Sequence, residues 1–202
     1  MNQRPSNIRY MTQLALLIAV ELVMKTLGLG SVPFGPLNMS FLTVPIAVGA
    51  IIMGPAAGAI MGGAYGIMSY YDAITGVGNM TAIFFQLDPV NTFILCAGTR
   101  ILLGFCVGWI FKAARKLDKK GIVSYYLGAL SAPLLNTCFF MGYIVLVFYQ
   151  TEYIQNLVNL HGAVNPIHFI VALVGLQGLV EAVVCALVGG TVAKGVSRAF
   201  KR

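Results

Sequence analysis

Long apolar runs, each ended by glycine, proline or a knot of charge, set the pattern of this chain. The first extends from Tyr10 to Leu27, and a shorter one covers Phe41 to Met53. Gly54-Pro55 then breaks the chain before a third run, Ala56 to Tyr71, because that pair cannot continue one helix. Three longer runs follow, Val90 to Ala113, Val123 to Tyr149 and Pro166 to Val196. A helix needs about 20 apolar residues, at ~1.5 Å each, to cross a ~30 Å hydrocarbon layer. The pattern therefore predicts an all-α membrane protein, a six-helix transmembrane bundle forming one domain over residues 1–202, with helix 2 short for a full pass.

Composition agrees, with 58% of residues hydrophobic, 9% charged and a mean hydropathy of +0.86. A soluble domain carries roughly a quarter of its residues as charges, so most of this surface must face lipid. Six passes leave no room for an ATP-binding or catalytic domain, and there is no GxSxG, HExxH or P-loop pattern. Neither enzymatic activity nor a cofactor is expected. The four cysteines (Cys96, Cys106, Cys138 and Cys185) sit in apolar stretches without ligand spacing and read as buried thiols. His161 and His168 lack acidic or thiol partners at ligand spacing, so no metal is expected.

The net charge of +7 would suit nucleic acid, but its placement suits a membrane. Eleven of the thirteen Lys and Arg fall at Arg4 and Arg9, at Lys112, Arg115, Lys116, Lys119 and Lys120, and at Lys194, Arg198, Lys201 and Arg202. The loops at 28–40, 72–89 and 150–165 have none. That asymmetry predicts both termini inside, with the basic groups against anionic lipid and no nucleic-acid partner. The first of these loops, 28–40, mixes apolar side chains with glycines and two prolines, as expected of a cap over a cavity open to the outside.

Ionisable groups at membrane depth are functional candidates. Glu21 and Lys25, spaced i, i+4, can pair on one face of helix 1. Arg100, near the middle of helix 4, can either bind a carboxylate or phosphate or pair with Glu181, which has Gln177 one turn earlier. Asn91, Thr92, Asn136, Thr137 and Asn165 either join helices or line a cavity. Small residues form ridges: Ala15 and Ala19 on helix 1, Gly58, Gly62, Gly63 and Gly66 on helix 3, and Gly104 and Gly108 on helix 4. The helix 3 and 4 ridges read as internal packing; the helix 1 ridge reads as internal packing or as a docking stripe.

Four segments, in order on this topology, resemble the substrate-binding S component of energy-coupling factor (ECF) vitamin transporters. They are Ala15-xxx-Ala19; Val48-Gly-Ala-Ile-Ile-Met-Gly-Pro55 with Gly58 and Gly62-Gly63; Asp88-Pro89 with Arg100-Ile-Leu-Leu-Gly104; and Asn136-Thr137 with Glu181. The pantothenate-type group is most similar. One departure is Gly98-Thr99 before Arg100, where relatives often carry proline. The resemblance implies a multi-pass protein of a prokaryotic plasma membrane that captures a water-soluble vitamin. Pantothenate is favoured, with folate or lipoate as other carboxylates. It further implies a transmembrane coupling subunit (T component) docking on Ala15 and Ala19, and two separate ATPases. Asn38, Tyr65, Asn91, Arg100, Asn136, Gln177 and Glu181 become the candidate binding residues. A stand-alone channel or facilitator, and a scaffold subunit without ligand, are the rival readings.

Overall fold

In the computed structural model, which describes residues 7–28, 30, 32–34, 37–118 and 121–199, the apolar runs are helices. Helix α1 spans Asn7–Thr26, α2 Thr43–Met53, α3 Pro55–Thr75 and α4 Met80–Leu87. Helix α5 covers Pro89–Leu117 and α6 Val123–Phe148; α7 is Glu152–Leu160 and α8 is Pro166–Ala199. Helices α5, α6 and α8 are long and apolar enough to cross a bilayer. The expected break between the second and third runs is present: Gly54 adopts φ 99° and Pro55 opens α3.

The connectors that lack Lys and Arg are more ordered than their sequence suggested. The first holds a small antiparallel hairpin, β1 (Val32–Phe34) paired with β2 (Leu37–Met39), the one departure from helix among the described elements. Pro33 disfavours a helix there, whereas a short extended strand accommodates it. The other two connectors contain α4 and α7, which pack back onto the bundle. Phe84 of α4 stacks on Phe148 of α6 with ring centroids 4.3 Å apart, and Ile154 and Val158, one turn apart on α7, are buried in the same cluster with Phe169.

Helix α2 has 11 residues, about 16 Å of helix, roughly half a bilayer core. It is nonetheless almost wholly buried, packed against α1, α3, α5, α6 and α8. Beside it, α3 and α5 meet through their glycines. A Cβ added at Gly58 would overlap the carbonyl oxygen of Gly104, and one added at Gly62 would overlap that of Arg100. The two ridges therefore pack on each other, backbone against backbone. That contact fixes the height and rotation of Arg100.

The three helices long and apolar enough to cross a bilayer, α5, α6 and α8, each contain a π turn: Ile94–Gly98, Ile144–Phe148 and Cys185–Gly189. The first ends one residue before Thr99-Arg100, at the glycine that departs from the family pattern. A π turn inserts one residue into the helical ladder and re-aims the side chains that follow. Helix α6 also carries the buried Pro133 in its interior, one turn before Asn136. Helix α1 lies against α2 and α3 with most of its surface exposed, Ala15 and Ala19 included.

Candidate functional site

A polar cavity of ≈ 70 Å³ lies among the helices. From α3 it receives Tyr65, Ser69 and Asp72; from α5, Arg100; from α6, Asn136, Thr137 and Phe140; from α8, Gln177 and Glu181. Lys25 at the end of α1 and Ser40, just after β2, complete the polar part of the wall. Five candidates from the sequence thus converge: Tyr65, Arg100, Asn136, Gln177 and Glu181. They come from segments more than a hundred residues apart.

Arg100 is 5% exposed. Its Nη1 donates to the Cys96 carbonyl, within the preceding π turn, at 2.9 Å, and its Nη2 donates to the Tyr65 hydroxyl at 3.4 Å. The guanidinium carbon lies 4.3 Å from the centroid of the Tyr65 ring and 5.0 Å from that of Phe140. Two aromatic faces therefore flank the cation, an arrangement that holds charge in a dry site. Its Nε has no hydrogen-bond partner among the described residues. Arg100 and Glu181 line the same cavity without forming an ion pair, so of the two readings left open by the sequence, pairing is not the one observed.

Glu181 is 3% exposed and is held otherwise. Its Oε1 accepts from the Ser40 backbone N–H at 2.6 Å and from Gln177 Nε2 at 3.2 Å. Ser40 Oγ lies 2.6 Å from the Tyr65 hydroxyl, and the Ser40 carbonyl accepts from Thr43 Oγ1 at 3.1 Å. One short polar chain thus runs from Arg100 through Tyr65 and Ser40 to Glu181, tying α5, α3, the hairpin connector and α8 together.

The i, i+4 pair expected between Glu21 and Lys25 does not form. Lys25 Nζ pairs with Asp72 of α3, at the cavity wall, with side chains 22% and 19% exposed. Glu21 is fully buried, and among the described residues neither carboxyl oxygen has a hydrogen-bond partner. The correction has a simple cause. Neighbours on an isolated helix face each other across solvent, but α3 presents a carboxylate from 47 residues away at a part-buried site where pairing is stronger.

Other candidates have different places. Asn91 does not line the cavity: its Nδ2 donates to Asp88 at 2.7 Å, and its Oδ1 accepts from the Tyr143 hydroxyl at 2.7 Å. It brackets the start of α5 to α6. The Asp88 carboxylate also caps α5, accepting from the Asn91 N–H, and that bond holds it below the usual carboxylate range. Asn38 lies in β2 opposite Pro33; its side chain falls outside the described residues. Asn165 caps α8 by accepting from the His168 N–H, and His161 and His168 both bond to backbone groups. Ser40, Ser69, Asp72 and Thr81 line the cavity but were not singled out in the sequence. Only their shared position toward the loops that lack Lys and Arg could have pointed to them.

The cavity offers two cations, two carboxylates and several hydroxyl and amide groups within an otherwise apolar bundle. That set suits a small molecule bearing one acidic group and several hydrogen-bonding ones. Residues 9–191 match the family described as ECF transporter, substrate-specific component. A Leuconostoc mesenteroides protein named Pantothenate transporter PanT is 30% identical over 115 residues, 54% of either chain, so this chain spans about half the length of that curated relative. A buried polar cavity in an apolar helix bundle, and a family match over most of its length, lead to one conclusion: the chain belongs to the substrate-specific component family of ECF transporters.

Proposed function

We propose that this chain is the membrane-embedded capture subunit of a vitamin importer in a prokaryotic plasma membrane, and that its ligand is a carboxylate vitamin, pantothenate first. Six passes with both termini in the cytoplasm account for the basic groups on one side and the hairpin, α4 and α7 on the other. On this reading the ligand carboxylate meets Arg100, which enters the cavity wall flanked by Tyr65 and Phe140 and pairs with no carboxylate among the described residues. That single observation carries the proposal. Asn136, Gln177 and Glu181 meet the ligand's hydroxyl and amide groups across the cavity from it.

Energy comes from elsewhere in this scheme. A T component docks on the exposed Ala15–Ala19 face of α1, and two ATPases drive release. The similarity to the pantothenate transporter supports the choice of vitamin. Calorimetric titration of the purified chain with pantothenate, lipoate and folate tests the reading. Saturable binding of pantothenate, lost in Arg100→Ala, is expected; binding of none of the three overturns it. Pantothenate flux through liposomes holding this chain alone, without ATP, would instead favour the facilitator reading.

A further inference from the structure

Thr137 and Val174 each line two spaces. On their inner side is the polar cavity; on their outer side, between α6 and α8, is an apolar groove of ≈ 420 Å³. The wall between cavity and groove is therefore one side chain thick. Along α8 the two sides part around Val174, which borders both. Gln177 and Glu181 turn inward to the cavity, whereas Gly175, Gly178 and Leu179 belong to the groove.

The two α8 glycines differ in kind from those joining α3 and α5. A Cβ at Gly178 would lie 3.6 Å from Thr137 Oγ1 and 3.8 Å from Val174 Cγ1, ordinary contacts. One at Gly175 would meet nothing closer than Val171 of its own helix, at 3.7 Å. These glycines bring no backbones together; their effect is to leave room. Room is what the cavity lacks, because pockets for small ligands run from about 300 Å³ upward and this one encloses ≈ 70 Å³.

We propose that the bound acid extends sideways, with its carboxylate at Arg100 and an aliphatic segment passing Thr137 and Val174 into the α6–α8 groove. This rests on the carboxylate reading above and adds a requirement to it: the site selects an acid that carries an aliphatic part. The polar chain around Glu181 then reads the groups between the two ends.

Two measurements on the full chain in lipid nanodiscs test this. The first is pantothenate affinity in the wild type and in Gly178→Leu, which fills the groove from outside. The second needs no groove-filling change: the rate at which N-ethylmaleimide alkylates Cys138, an exposed groove residue, in a Cys106→Ser background with and without saturating pantothenate. A loss of affinity of about tenfold or more in Gly178→Leu, together with slowed alkylation of Cys138, is expected. Unchanged affinity in a folded Gly178→Leu, or alkylation indifferent to pantothenate, overturns the sideways extension while leaving Arg100-dependent binding intact. If Gly178→Leu fails to fold, the Cys138 rate alone decides in the same sense. Absence of any acid binding to the wild type overturns the carboxylate reading and this one with it.

Discussion

Lys25 reaches across from α1 to pair with Asp72 on α3, leaving Glu21, one turn back on its own helix, buried without a partner among the described residues. The pair ties the exposed α1 to the bundle at the rim of the cavity. The Lys25→Met and Asp72→Asn variants should each lower thermal stability, and the double variant should lower it by less than their sum. The expected coupling is about 0.5–3 kcal/mol. Strict additivity in the thermal midpoints would show that the pair contributes nothing to stability.

Glu21 itself should be a liability to folding. A fully buried carboxyl without a hydrogen bond costs about 1–3 kcal/mol in desolvation. Its neighbours Leu17, Ile18 and Met24 pack against an apolar cluster with Leu42, Ile46 and Met61. Glu21→Leu should therefore raise the melting temperature of the purified chain. A lower one would mean that the carboxyl is needed where it stands.

The glycines separate into two classes that substitution should distinguish. Gly62→Ala forces a methyl into the Arg100 carbonyl, so α3 and α5 must part, at a cost of several kcal/mol or loss of folding. Gly175→Ala meets only ordinary contacts and should stay within about 0.5 kcal/mol of wild type. Equal effects in a melting assay would contradict the close α3–α5 packing.

Much of this was legible in the sequence, and the rest fails for identifiable reasons. The Gly54-Pro55 break, the α3–α5 glycine ridges and the convergence of Arg100, Gln177 and Glu181 all follow from local pattern and hydropathy, which one sequence carries. The Lys25–Asp72 pair was illegible because its partners are 47 residues apart, while a nearer carboxylate sat at the textually obvious spacing. Ser40 was illegible for a different reason. It acts partly through its backbone N–H, and every residue but proline has one. Asn91 looked like a cavity residue because an asparagine in an apolar helix has two uses, and sequence does not say which; here it bridges Asp88 and Tyr143. The α4 and α7 helices were hidden by their shortness.

Acid should loosen the connector between α5 and α6. Asp118 accepts from the Gly121 N–H at 2.9 Å and the Ser124 N–H at 2.8 Å, and those bonds, Ser124's first, hold it below the usual carboxylate range. A depressed folded-state value means its contribution is present above the ordinary aspartate value of about 3.9 and fades as pH falls through the lowered one. Asp118→Asn should flatten the acid limb of the stability-versus-pH curve below about pH 4 and leave stability near neutrality less affected. An unchanged acid limb in that variant would remove Asp118 from the explanation.

The central claim is that Arg100 holds the ligand's carboxylate, and calorimetric titration of pantothenate into wild type, Arg100→Ala and Arg100→Lys measures it most directly. The wild type should bind with a Kd tighter than about 1 μM. Arg100→Ala should lose the ~2–5 kcal/mol typical of removing one member of a buried charge pair, and Arg100→Lys should recover only part of it, because a lysine lacks the planar fork and fits less well between Tyr65 and Phe140. A folded Arg100→Ala that binds pantothenate as tightly as the wild type would contradict the claim.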